Sequence, residues 1–282
     1  MINMEQARVR NISAEELRNL IEKRRESDYV LLDVRQAEEY SQAHIPGAKL
    51  IPLPELESRL QEIPEARELV FYCRSGSRSM AGAEFVADSE IAQGDIYNLS
   101  GGITAWNGET LRDFPRLQAF DKTKTHEELL LQAMDLEKGA WRFYGHVLER
   151  FPSEPFSHVF AELAKAEFAH ARVIYHHLEK GGRKLEAFET IFEELEGDLI
   201  ESGESLATAL DRVESLEGDL CLNLMELSLN VEYSALDVHR TIAEQAVDTE
   251  TKDAFLSIAQ AEKRHMRTIA KAIDGCKAPG NP

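Results

Sequence analysis

Beyond about residue 126, apolar residues recur at three- and four-residue spacing, the period of a helix with one buried face. Four such stripes follow one another, and each is broken near its middle by ionisable residues. The first reads Leu130, Met134, Glu137, Trp141, Tyr144, Leu148. The second reads Phe156, Phe160, Leu163, Glu167, His170, Ile174. The third reads Met225, Leu229, Glu232, Leu236, and the fourth Phe255, Ile258, Glu262, His265, Ile269, Ile273. The pattern predicts helices over 126–150, from Ser153 or Pro155 to Gly181-Gly182, over 219–246, and from Asp248 to Asp274-Gly275. Thr125 with Glu128 forms a capping box at the first start. A long crossover over 183–218 holds two shorter acidic helical stretches, 185–199 and 205–213.

Before residue 112 the pattern is different. Short apolar runs alternate with helical stretches, the order of a small α/β unit with a mostly parallel sheet. Strands are predicted at Tyr29–Asp33, Lys49–Leu53, Glu68–Tyr72 and Asp95–Leu99. A helix opens at Ser13, with Glu16 completing a capping box. Others are predicted over 38–43, 56–60 and 77–86. The domains expected are 1–112, a linker 113–124, a four-helix bundle 125–276, and a disordered tail 277–282.

The interruptions in the helical stripes carry chemistry. A carboxylate and an imidazole three residues apart share one helix face. That pair occurs twice, as Glu167 with His170 and Glu262 with His265, each at an inward position. Glu137 and Glu232 interrupt the other two stripes at the same relative offset. A buried, unpaired carboxylate costs several kcal/mol and calls for a cation. Four glutamates and two histidines in register across four helices form the ligand set of a two-metal carboxylate site. Mixed carboxylate and imidazole ligands suit iron or manganese, with zinc also compatible.

In the α/β half the chemistry is at Cys73-Arg74-Ser75-Gly76-Ser77-Arg78. A cysteine ending a central strand, then a tight loop, then a helix start, makes an anion cradle of backbone N–H groups. Flanking arginines add positive potential, which favours a thiolate or persulfide. Cys221, within an apolar helix, reads as a small core cysteine. Three cysteines in all are too few for a disulfide framework.

These residues resemble two families. Leu31-Leu-Asp33-Val-Arg35, His44-Ile-Pro-Gly-Ala48, the Cys73–Ser79 loop and Leu99-Ser-Gly-Gly-Ile-Thr-Ala-Trp106 resemble the rhodanese family over nearly the whole first domain. The resemblance implies that Cys73 carries sulfur from a donor such as thiosulfate or a persulfide to a thiophilic acceptor. It places Arg74, Ser75, Gly76, Ser77 and Arg78 around that sulfur, and has Asp33 and Arg35 bracing the fold. Phosphatases related to this fold resemble Cys-x5-Arg, whereas Arg78 here closes a Cys-x4-Arg loop, which favours sulfur over phosphate. The four helices resemble the rubrerythrin branch of the ferritin-like superfamily. That resemblance implies Glu137, Glu167, His170, Glu232, Glu262 and His265 as ligands of two metal ions, usually iron, and reduction of peroxide or dioxygen. Two departures stand out. Ala235 occupies the place where many rubrerythrins carry a further carboxylate, and no four-cysteine iron domain is present, so an external protein would donate electrons. The resemblance also implies a homodimer. A metal store or sensor with a sulfur-responsive module is the alternative, and a structural zinc bundle is a third. His239 is expected as a hydrogen-bonded core histidine, Tyr144 as a partner to a ligand glutamate, and His176 and His177 as surface or groove residues.

Composition narrows the partners. The 282 residues carry a formal net charge of −19. So acidic a chain is not expected to bind nucleic acid or an anionic membrane surface. No stretch reaches the ~20 apolar residues of a membrane span. The opening Met1–Arg8 has no charged-then-apolar signal pattern, and the cytoplasm is the expected location.

Overall fold

A computed structural model describes residues 9–113, 115, 125–180, 185–246 and 248–276. Most of the expected linker, the Gly181-Gly182 helix end and the tail lie outside these. The chain divides into two compact units, 1–115 and 116–282.

The first unit is an α/β sheet with helices on both faces. Its strands are β1 (Arg10–Ile12), β2 (Tyr29–Asp33), β3 (Lys49–Leu50), β4 (Glu68–Tyr72) and β5 (Ile96–Leu99), in the order β1-β5-β4-β2-β3, all parallel. Helices α1 (Ala14–Lys23), α2 (Ala37–Gln42) and α3 (Ser77–Asp88) supply crossovers, 3₁₀ turns at Leu53–Glu55 and Glu57–Glu62 link β3 to β4 where a helix over 56–60 was expected, and α4 (Gly102–Ala105) follows β5. Strands covered on both faces read as unbroken apolar runs. Accordingly Val30, Leu32 and Phe71 enter one core layer, and Tyr29, Leu31, Val70 and Tyr72 the other. The Ser13–Glu16 capping box forms as expected.

Two expectations need revision. The strand at 49–53 shrinks to Lys49–Leu50, because Pro52 has no N–H for a ladder and Leu53–Glu55 turns into a 3₁₀ helix. Arg10–Ile12 was not expected as a strand, being too short for any alternation to register. It pairs with β5 through the register Arg10 to Tyr97.

In the second unit the described residues are mostly helical. The long helices are α5 (His126–Arg150), α6 (Ser157–Lys180), α9 (Leu220–Gln245) and α10 (Thr249–Gly275). Between α6 and α9 lie α7 (Phe188–Glu194), shorter than the stretch 185–199 expected there, and α8 (Leu206–Glu214), which matches the expected 205–213 to within a residue at each end. Thr125, Asp219 and Asp248 cap α5, α9 and α10 by accepting backbone N–H bonds. Helix α5 packs on α6, α9 on α10, and α6 on α10.

The apolar interior of this unit is split in two. One cluster holds Phe143, Tyr144, Val147, Phe160, Leu163, Met225 and Ile269. The other holds Leu130, Met134, Ile174, Ile242, Phe255 and Ile258. The ionisable residues fall between them on every long helix. Trp141 departs from its expected inward place: it is 39% exposed and lies edge-on to Phe192. Phe143, Tyr144 and Val147 fill the core in its stead. Among the described residues no helix is long and apolar enough to cross a membrane.

Cys221 is not a lone core thiol. It is joined by a disulfide to Cys276, at a sequence separation of 55. The two helices run antiparallel, so the first turn of α9 meets the end of α10. Closing a loop of that length contributes about 2–4 kcal/mol, mainly by restricting the unfolded chain. Peptide mapping under non-reducing conditions is expected to recover the Cys221–Cys276 cross-link, and Cys221→Ser to lower the unfolding free energy of this unit by about that amount.

Candidate functional sites

Cys73 directly follows the central strand β4, at the carboxyl edge where parallel α/β sheets bind ligands. It is 1% exposed. The chain then turns through Gly76, whose φ of +100° suits glycine, into α3. This turn brings the Gly76 N–H to 3.1 Å from the Cys73 sulfur. The Ser79 hydroxyl lies 3.4 Å from the same sulfur, 2.7 Å from Asn98 Oδ1 and 3.1 Å from the Gly76 carbonyl. It has one proton for three acceptors. An ionised sulfur, as the charged acceptor, attracts it most strongly. Burial pushes the Cys73 thiol up, but donation from Ser79, Ser75 and Gly76 outweighs it and leaves the thiol below its ordinary value.

The loop arginines differ from one another. Arg78 is held by both oxygens of Glu39 at 2.7 Å each, and also interacts with Cys73. That pairing draws the Glu39 carboxyl down to about 2. Arg74 is exposed; its carbonyl accepts from the Thr104 backbone and hydroxyl, tying the loop to α4. Ser75 and Ser77 are also exposed, and Gly76 is buried. Asp33 and Arg35 form a buried ion pair at 2.6 Å, and Arg35 also donates to the Ala43 carbonyl at 2.7 Å. Sequence reasoning missed Ser79 and Glu39. Ser79 could have been found one helical turn past Gly76. Glu39 lies 39 residues from Arg78 and carries no local signal.

In the second unit all six expected residues converge. Glu137, Glu167, Glu232 and Glu262 are fully buried, and His170 and His265 nearly so. Glu167, His170, Glu262 and His265 offer ligand atoms within 4.8 Å of one another. The imidazoles stack with centroids 4.5 Å apart. Glu232 accepts from His265 Nδ1 at 2.9 Å and from the Tyr144 hydroxyl. His170 Nδ1 approaches Glu167 to 3.3 Å and Glu137 to 3.4 Å without hydrogen-bond geometry. Both oxygens of Glu137, Glu167 and Glu262 lack a hydrogen-bond partner.

The electrostatics are those of an overcrowded anionic pocket. Burial pushes Glu262 well up. Burial opposes charge on His170 and His265, yet the surrounding carboxylates hold both well above the ordinary imidazole value. Orphaned acceptors of this kind fit divalent cations, which satisfy several oxygens at once. A cleft lined by Ala166, Ala169, His170, Arg264 and His265 opens this centre to solvent on its histidine side.

Two further residues belong to the neighbourhood. His239 is fully buried with neither ring nitrogen hydrogen-bonded, against expectation, and burial lowers it to about 4. Glu201, from the crossover, is also fully buried with both oxygens unpartnered. The stripes could not indicate Glu201, because it lies on no long helix. His176 is exposed and His177 half-buried.

The thiol cradle predicts a pH profile. Alkylation of Cys73 should follow a midpoint below that of free cysteine, and Ser79→Ala should move it to higher pH by removing a donor to the thiolate. An unchanged midpoint would show that the hydroxyl stays with Asn98.

Comparison with known proteins agrees with the first unit. Residues 13–109 match the rhodanese-like domain family. A sulfurtransferase of Allochromatium vinosum is 39% identical over 79 residues, which is 28% of this chain and 72% of that protein. The YtwF protein of Bacillus subtilis is 32% identical over 102 residues, 36% of this chain and 94% of that protein. The crystal structure of a rhodanese-like domain protein from Staphylococcus aureus is 28% identical, covers 37% of this chain and 98% of its own, and has a TM-score of 0.34. With the cysteine cradle in place at the end of β4, the chain belongs through residues 13–109 to the rhodanese-like family, and its first unit is a rhodanese-like sulfurtransferase domain.

Proposed function

We propose that the chain pairs persulfide chemistry at Cys73 with a dimetal carboxylate centre of ferritin-like, rubrerythrin type in its second unit. In the first reaction the Cys73 thiolate attacks the sulfane sulfur of thiosulfate. A sulfur–sulfur bond forms on Cys73 and sulfite leaves with the electron pair of the broken bond. A thiophilic acceptor then takes the outer sulfur and returns the thiolate. The N–H groups of Ser75 and Gly76, the Ser79 hydroxyl and Arg78 stabilise the negative sulfur in both steps.

In the second unit Glu137, Glu167, His170, Glu232, Glu262 and His265 would hold the metals, with iron the first choice and manganese or zinc compatible. Such a pair, when bound, supplies electrons for reducing peroxide or dioxygen. The chain's own contribution is to position the ligands. Tyr144 orients Glu232, and the apolar layers on both sides confine solvent access to the cleft on the histidine side. The observation that carries this reading is the set of fully buried carboxylates with no hydrogen-bond partner at either oxygen. An external protein would supply electrons and the chain would form a homodimer; a cytoplasmic location suits the Cys73 thiolate, whereas the Cys221–Cys276 disulfide suits a more oxidising compartment.

Two measurements test the proposal. Cys73→Ser should abolish thiosulfate:cyanide sulfur transfer. Elemental analysis should find about two metals per chain, reduced in Glu167→Ala and His265→Ala. A protein that holds none, after exposure to ferrous iron, manganese and zinc, would refute the metal centre. Many more than two would favour storage.

A further inference from the structure

The crossover between α6 and α9 delivers one side chain to the centre of the second unit. Glu201 is fully buried, and neither of its carboxylate oxygens has a hydrogen-bond partner. One of its oxygens lies within 4.8 Å of ligand atoms of Glu137 and His239, and one within the same distance of oxygens of Glu167 and Glu232. It therefore touches two groups at once. His239, in the first of them, is itself fully buried with neither ring nitrogen hydrogen-bonded, its Nδ1 lying 3.8 Å from Glu262 Oε1.

The approach of this loop is built into the sequence. Gly139, two residues past Glu137 on α5, leaves room for the crossover backbone: a Cβ there would sit 1.8 Å from the Leu199 carbonyl oxygen. The neighbouring side chains fasten the segment. Asp135 accepts from the Gly197 N–H at 2.8 Å. Lys138 donates to the carbonyls of Phe192 and Glu193 at 2.8 Å each, and Arg142 to those of Glu196 and Gly197. The loop then closes on itself. Ile200 N–H donates to the Glu204 carbonyl at 2.9 Å, and Leu206 N–H to that of Asp198 at 2.8 Å. Leu199 pairs with Ser205, leaving Glu201 on the loop between them. This anchoring holds an unpaired carboxylate in an apolar interior, a placement that costs several kcal/mol unless something compensates it. On α9, the position one turn after Glu232 is Ala235, which contributes no carboxylate.

We propose that Glu201 is a metal ligand supplied by the crossover loop, a carboxylate added to those of the four long helices. The inference rests on the dimetal reading above and deepens it. It assigns α5 a second role: besides carrying Glu137, its Gly139 and the flanking Asp135, Lys138 and Arg142 position the loop that brings Glu201 inward.

The test uses the full-length protein, stripped of metal and then titrated with Co(II) and with Fe(II) under anaerobic conditions. Stoichiometry is read by elemental analysis, affinity by chelator competition, and ligand field by the visible Co(II) spectrum. The variants are Glu201→Gln, Gly139→Ala and, as a control in the helical set, Glu137→Gln. Glu201→Gln is expected to weaken one of about two metal equivalents by at least ~10-fold and to change the Co(II) spectrum. Gly139→Ala should do the same by pushing the loop outward. The metal-free Glu201→Gln protein should melt no lower than metal-free wild type, since the change removes an unpartnered charge. If Glu201→Gln keeps wild-type affinity and spectrum while Glu137→Gln loses metal, Glu201 is not a ligand. A lowered melting point with unchanged metal binding would make its role structural and overturn the proposal. Wild type that binds neither metal would instead sink the dimetal reading itself.

Discussion

An ionised group in an apolar interior must be compensated, and in the second unit that requirement shapes everything around it. Two apolar layers enclose a stratum of glutamate and histidine, and each long helix crosses from one layer to the other through it. Hydrogen bonding inside the stratum is sparse. Tyr144 and His265 serve Glu232, while Glu137, Glu167 and Glu262 meet the imidazoles only as ion-pair neighbours and have no hydrogen-bond partner for either oxygen. Protonated histidines can offset part of the charge, but not satisfy this many oxygens. Bound divalent cations do both, which is why the dimetal reading accounts for the layer where isolated ion pairs do not.

The first unit meets the reverse problem. There a negative charge must be made easy to form on one sulfur. Burial works against it, and short-range donors overcome burial. The tools are mostly dipoles: the Gly76 N–H, the N-terminal turn of α3 and the Ser79 hydroxyl. Arg78, the obvious charge, is shared with Glu39, so its field at the sulfur is moderated. A cradle of dipoles stabilises thiolate and persulfide alike, which suits a group that must both take up sulfur and give it away.

The two centres differ in what holds them. Cys73 depends on a strand end and a four-residue turn, Cys73 to Gly76, a local device set on a rigid parallel sheet. The carboxylate layer depends on four helices and a connecting loop meeting in register. Membership in the rhodanese-like family speaks for the first centre. The second stands on its own buried groups.

Along the chain, the local pattern was enough to place the long helices and the central strands, and residue types the cysteine loop, because each has a signature within a few residues; the start of α6, expected at Ser153 or Pro155, falls instead at Ser157. Register did the same for Glu137, Glu167, His170, Glu232, Glu262 and His265, since residues on one helix face share a fate. Contacts between distant segments were invisible. The Glu39–Arg78 pair, the Cys221–Cys276 bridge, the edge strand β1 and the entry of Glu201 past Gly139 all depend on how separate elements pack. No local pattern encodes such meetings, because the distance between two segments is fixed only when the interior closes around them.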